Sequence, residues 1–243
     1  MRLLKLIINA DDFGRNAIAN ERIAQCFRKD VISTSTIMAN MPGFKEAVDI
    51  IINEGYQSRI GIHAVLDEGK PITEKMQKCR KFCDENGNYK NNIPRHQYLN
   101  KMEREIVSSE ILAQIKRIKD VGISISHLDS HRHRHQDIWI AIAIKKALIK
   151  SNIPYIRRHK TKDKLLRRLY GWLVERIYIF NSNIQMVDKL YSVYDEVRFV
   201  ENSNCVVEIM CHPEIDYDFN LLMNEMKIEN GIFSRIYNDE LGR

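Results

Sequence analysis

A chain of 243 residues, 44% hydrophobic and 29% charged, has the make-up of an ordinary globular protein and is short enough to form one domain. No low-complexity tract, Pro-rich linker or internal repeat interrupts it, which excludes a disordered chain, a fibre and a repeat array. The net charge of +6 would suit an acidic partner, so nucleic acid enters as a candidate to weigh against the motifs.

Leu3 to Asn9 is a nearly continuous apolar run, the pattern of a strand buried on both faces, and it stops at Asp11 and Asp12. Lys5 interrupts it and no signal-peptide core or cleavage site follows, so a cytoplasmic location is expected. The five irregularly spaced cysteines fit free thiols there, and Cys79 and Cys83 lack the second pair that a structural metal site needs. Asn16 to Arg28 carries Ile18, Ile23, Ala24 and Phe27 at helical spacing, Val31 to Met38 is β-rich, and Gly43 to Asn53 is helix-like. This βαβα order predicts a parallel sheet covered by helices.

Arg59 to Leu66 reads as another strand. Residues 67–100 are polar and aperiodic, an insertion within a single domain spanning 1–243. A helix marked by Ile106, Ile111, Ile115 and Ile118 ends near Gly122, followed by a strand over Ile123 to Leu128, a helix over Gln136 to Lys150 and a short strand over Tyr155 to Arg157. Residues 157–200 form a variable basic helical region. Its helix, Lys164 to Phe180, sets Leu165, Leu166, Leu169, Leu173 and Ile177 on one side, a face expected against the core or in a homodimer. Cys205 to Met210 is a last strand, leading into His212-Pro213. The apolar run Ile138 to Ile144 is too short to span a bilayer, so no membrane span is expected.

Four polar clusters lie just past four predicted strands: Asp11-Asp12, His63, the run from His127 to His135, and His212. In parallel α/β folds the C-terminal strand ends form the binding crevice, where side chains far apart in sequence meet. Asp11 and Asp12 are neighbours and would face opposite ways on a regular strand, so both serve one site only if the chain turns there, as Phe13-Gly14 allows. Two adjacent carboxylates divide naturally into one ligand and one base. If the histidine run stays extended, at roughly 3.3 Å per residue His127 and His131 lie about 13 Å apart. Ligands about 2 Å from one metal lie within about 4 Å of each other, so the run gives a metal one histidine and other strands must supply the rest, with Asp12 and His63 the obvious candidates. Asp129 would orient a ligand from behind. With Asp129 inside the run and only Trp139 and Tyr155 nearby for stacking, no nucleic acid is expected.

At these residues the sequence resembles the YdjC-like family, whose best-described members deacetylate chitooligosaccharides. Asn9-Ala10-Asp11-Asp12-Phe13-Gly14 resembles the family's opening signature, and Gly61-Ile62-His63 with Glu68-Gly69-Lys70-Pro71 its second. His127-Leu128-Asp129-Ser130-His131-Arg132-His133 is similar to the third and Glu208-Ile209-Met210-Cys211-His212-Pro213 to the fourth. Ala64-Val65-Leu66 and Glu214 depart from the family pattern, which bears on substrate identity. The resemblance implies an α/β fold in the form of a distorted, incomplete TIM-like (β/α) barrel. It also implies that Asp12, His63 and His131 hold a divalent metal ion, Mg2+ by family description and Zn2+ or another transition metal by ligand chemistry. Asp11 would be the base and His212 the acid in removing an N-acetyl group from a sugar, phosphorylated or not. A metal-dependent phosphoesterase and an inactive sugar-binding protein with a retained metal site are the rivals.

Overall fold

Alternating apolar strands and helices are realised as a curled parallel sheet with helices outside it. The computed structural model describes residues 5–160, 165–195, 205–229 and 232–235. In chain order, β1 (Lys5–Phe13) leads to α1 (Ala17–Arg28), β2 (Thr34–Ile37), α2 (Phe44–Asn53) and β3 (Ile60–Ala64). A long excursion with the one-turn helix α3 (Glu74–Gln77) precedes α4 (Lys101–Asp120), β4 (His127–Ser130), α5 (Ile138–Ser151) and β5 (Tyr155–Ile156). Then come α6 (Leu165–Ile179), β6 (Lys189–Ser192), β7 (Val206–Cys211) and α7 (Asp216–Asn220), and Met226–Glu229 pairs antiparallel with Ile232–Arg235 as a separate ribbon.

The seven strands lie in the order β5-β4-β3-β2-β1-β7-β6, every neighbouring pair parallel. The two edges of the sheet approach each other where Ile156 N donates to Gln185 O (3.0 Å) and Gln185 N donates to Pro154 O (2.8 Å). The fold is therefore an incomplete α/β barrel, with its C-terminal strand ends gathered at one mouth. β1 sits near the middle of the sheet, and Ile8 and Ala10 are fully buried, as its unbroken apolar run requires.

Local signals fix the helix starts. Asn16 caps α1 by accepting from Ala19 N, and Asn100 with Glu103 forms a reciprocal capping box on α4. On α1, Ile23, Ala24 and Phe27 are buried, whereas Ile18 faces outward. The excursion 67–100 is irregular but anchored: Phe82, Tyr89 and Leu99 enter the core, and buried Glu110 on α4 accepts from Ile72 N (2.9 Å) and Thr73 N (2.8 Å).

Three expectations are corrected. β1 continues to Phe13 through a register shift between Ala10 and Phe13, so the aspartates belong to the strand. The fourth strand is His127–Ser130 rather than Ile123 to Leu128, because its partners Ile62, His63 and Ala64 on β3 set the register, not the apolar content. On α6 the buried residues are Gly171, Val174 and Tyr178 and Ile177 packs against the core, while Leu165, Leu166, Leu169 and Leu173 are exposed rather than seated on the core. Tyr178 reaches inward to donate to His135 O at 2.7 Å, and this hydrogen bond goes with the smaller face turned toward the body. β6 carried no clear apolar run and was not foreseen.

Candidate active site

The bulge in β1 brings two neighbouring carboxylates into one crevice. Asp12 takes a left-handed conformation (φ 71°) and Gly14 follows at φ 86°, so the alternation of a regular strand is broken at that point. Asp11 and Asp12 are both buried. The turn is thus at Asp12 itself as well as at Gly14.

β3 delivers His63 between two carboxylates: its Nδ1 lies 2.7 Å from Asp129 Oδ1 on β4 and its Nε2 lies 3.1 Å from Asp12 Oδ1. The Thr36 hydroxyl, 3.2 Å from His63 Nδ1, also donates to Asp129 Oδ2 at 3.1 Å. With Nδ1–H directed at Asp129, Nε2 is turned to Asp12 and the crevice, where on losing its proton it would present a lone pair, the way a metal-binding histidine is fixed from behind. Burial alone would pull the His63 imidazolium down, but Asp129 and Asp12 outweigh it and hold the pKa well above the usual value.

His131 repeats this arrangement. After Ser130 the chain leaves the strand, and Arg132 and His133 take left-handed conformations (φ 48° and 53°), so the run is not extended. Arg95 from the 67–100 segment holds this strained turn by donating to Arg132 O (2.6 Å) and His133 O (3.3 Å). His131 Nδ1 lies 2.9 Å from Asp67 Oδ1 and its Nε2 lies 3.2 Å from Glu68 Oε2. The His63 and His131 rings are 6.0 Å apart between centroids. His135 is turned away, its Nδ1 2.7 Å from Ser130 Oγ, and His127 reaches Asn9 Oδ1 at 3.0 Å through Nε2.

Arg157 ties the crevice together. Fully buried, it donates to both oxygens of Asp11 (2.6 and 2.7 Å), to Glu208 (2.6 Å) and faces Asp129 at 2.8 Å. Against the cost of burial, this guanidinium holds the Asp11 carboxyl far below the usual carboxylate range. Burial pushes Glu208 the other way, upward. Arg157 opens the region 157–200 expected to be basic and helical, yet it is an internal counter-ion, and Arg158 is committed to Glu175. The strand-end rule that selected His63 and His212 applies equally to Arg157 at the end of Tyr155 to Arg157, but the surrounding positive charge masked it.

His212, just past β7, has its Nε2 3.7 Å from Asp11 Oδ2 and its Nδ1 3.9 Å from Asp218 Oδ2. Asp218, wholly buried at the end of the next turn, accepts from His212 N at 2.8 Å and fixes the segment that carries the ring. Arg15 crosses the mouth, pairing with Glu68 (3.2 Å) and Glu214 and lying 3.6 Å from Asp12. Asp67, Asp218 and the bridging role of Arg15 were not foreseen, since lone charged residues in loops, or in a helix as short as α7 for Asp218, give no periodic signal.

One cluster of side chains gathers ligand atoms for a cation, and a buried carboxylate beside it calls for one. Asp11, His63 and Asp129 each offer a ligand atom within 4.8 Å of the others, and such a cluster could hold a metal ion. Arg157, however, already supplies the positive charge between Asp11 and Asp129. On the other side of His63, Asp12 Oδ1 is buried and makes no hydrogen bond among the described residues, although His63 Nε2 is near. A buried carboxylate oxygen without a donor is costly, and a cation relieves it. Asp12 and His63 therefore suit a metal ion on the chemistry of their donors, whereas His131 Nε2 faces Glu68 and is not among the ligand atoms gathered within 4.8 Å.

Comparison with known proteins adds the following. The model of the YdjC-like protein family matches residues 5–231. A carbohydrate deacetylase of Thermoanaerobacter pseudethanolicus is 29% identical over 211 residues, covering 86% of this chain and 80% of that protein. A carbohydrate deacetylase of Brevibacillus brevis is 31% identical over 217 residues, covering 86% and 81%. A solved structure described as a cellobiose-phosphate cleavage protein from Enterococcus faecalis superposes with a TM-score of 0.67 at 25% identity, covering 87% of this chain and 81% of that one.

Proposed function

This chain belongs to the YdjC-like family, and from that premise and the geometry of the crevice we propose that it is a metal-dependent hydrolase that removes the N-acetyl group of an N-acetylated sugar and releases acetate. The observation that carries the reading is the pair of histidines each fixed at Nδ1 by its own carboxylate, beside the unsatisfied Asp12. Asp12, His63 and His131 would hold a divalent ion, which when bound supplies positive charge to polarise the acyl oxygen. Two imidazoles and a carboxylate suit zinc or another transition metal, while the family resemblance points to magnesium.

The chain's own residues do the rest. Asp11 Oδ2 lies 3.7 Å from His212 Nε2, on the crevice side of the ring, so a water between them can lose its proton to Asp11 as it attacks the acyl carbon. Arg157 fixes both Asp11 oxygens, which orients the base and keeps it ionised. His212, with its ring half-exposed at the mouth, donates a proton to the departing nitrogen, since an amide nitrogen leaves poorly unless protonated. Arg15, Glu68 and Glu214 line the entrance and contact the sugar.

A two-metal phosphoesterase would need further free carboxylates about 4 Å away, and Asp11 and Asp129 are already bound to Arg157. The test is acetate release from N-acetylglucosamine oligomers alongside equilibrium dialysis with Zn2+ and with Mg2+. Asp12→Ala, His63→Ala and His131→Ala are expected to lose bound metal and activity together. Activity that survives chelation, or a His131→Ala protein that keeps its metal, overturns the assignment.

A further inference from the structure

The outward face of α6 has no use in the crevice chemistry. The helix is firmly seated: Gly171, Val174 and Tyr178 are buried, Arg158 grips Glu175, and the Tyr170 hydroxyl donates to Gln136 O at 2.9 Å. What it turns outward is a stripe of Leu165, Leu166, Leu169, Trp172, Leu173 and, just past its end, Phe180, with exposures from 48% at Leu173 to 80% at Leu166. An apolar stripe of this kind on a well-packed helix marks a contact surface. Cations stand along it, while the acids near its edge, Glu175 and Asp188, already have partners in Arg158 and Val206 N. Arg176 lies in the middle of the stripe with its guanidinium 5.1 Å from the Trp172 ring, Arg168 flanks it, and Lys145 of α5 stands 6.0 Å from the Phe180 ring. Glu175 is the helix's only acid, and Arg158 already holds it at 3.1 Å.

We propose that α6 docks this protein on the surface of an anionic phospholipid bilayer. Leucine, tryptophan and phenylalanine side chains enter the boundary between headgroups and acyl chains, while Arg168 and Arg176 meet lipid phosphates. A second copy binding through the same face would bring Arg168 and Arg176 of both copies into one interface, with no unpaired carboxylate on either helix to receive them. Anionic lipid satisfies both the apolar stripe and its cations. The proposal does not rest on the deacetylase reading.

The experiment is co-sedimentation of the full chain with vesicles of phosphatidylcholine alone and of phosphatidylcholine mixed with phosphatidylglycerol. Emission of Trp172 is followed in a Trp139→Phe background. Binding is expected to the anionic vesicles only, with a blue shift of Trp172, and to weaken as salt rises. Leu166→Glu with Leu169→Glu should weaken it at least about tenfold, with an unchanged circular dichroism spectrum showing that the fold is kept. Arg168→Gln with Arg176→Gln should remove the preference for anionic lipid. Absence of binding to anionic vesicles, or binding that both glutamates leave intact, overturns the proposal. So does a concentration-dependent dimer, seen by light scattering, that the two glutamates dissolve, since the occupant is then a second copy.

Discussion

Arg157 is the residue on which the crevice depends most. Three buried carboxylates, Asp11, Asp129 and Glu208, share its guanidinium, and removing one member of a buried ion cluster leaves charge uncompensated. Arg157→Ala is expected to destabilise the fold by about 3–5 kcal/mol, measured by denaturant unfolding, and to abolish acetate release. Arg157→Lys keeps the charge but not the two-pronged grip on Asp11, so it should retain most of the stability and still lose activity. Equal stability of the Ala variant and the parent would show that the cluster is not what holds the strand ends. His212 sits at the opposite extreme, at the mouth and held through its backbone by Asp218. His212→Ala is expected to lower kcat by about 10²–10⁴-fold with metal content unchanged, and a normal kcat would remove it from the mechanism.

Among the elements, β3 and β4 meet in close contact at Gly61. Gly61 on β3 has the His127 ring of β4 directly over it, and a Cβ there would stand 2.6 Å from His127 Cε1. His127 in turn holds Asn9 on β1, whose amide donates to Asp11 at 2.9 Å. Gly61→Ala should therefore cost about 1–3 kcal/mol as an overpacking change and lower activity as well, because the displaced ring moves Asn9 and Asp11. Thermal melts paired with acetate release check both, and a Gly61→Ala protein unchanged in each would mean that the ring moves aside freely. At α4, Asn100→Ala removes the capping box and should cost about 0.5–2 kcal/mol without touching the crevice.

For the whole molecule, the buried His135 and the half-buried His127 and His133 set the response to acid. Burial is the main force drawing His127 down to about 4 and His133 to about 3, and it holds His135 well below the usual value. The unfolded chain takes up protons at these residues near pH 6.5, while the folded chain stays neutral there until about 4 at His127. Their contribution is complete above pH 6.5 and is lost as pH falls toward 4. His63 runs the opposite way, protonated in the fold above the usual value, so what it adds is complete below pH 6.5 and is lost as pH rises through its folded pKa. Metal-free protein should accordingly lose stability in urea as pH is lowered from 6.5 to 4, with further loss below that range as Asp11, Asp12 and Asp67 protonate. A flat profile between pH 6.5 and 4 would show that these histidines are solvated.

The parallel α/β pattern and the four polar clusters at strand ends were legible in the chain, because apolar runs and strand-end chemistry are local and periodic. That Asp11 and Asp12 can share a crevice only if the chain turns beside Gly14 was legible as well. Tertiary structure alone decided the rest. It placed Arg157 inside, because three carboxylates from β1, β4 and β7 required one counter-ion between them. It bent the histidine run after Ser130, because Arg95, 37 residues away, holds the Arg132 carbonyl. It turned the leucines of α6 outward and β4 into register with β3, because helix orientation and strand register are set by partners remote in sequence, which no periodicity within a segment encodes.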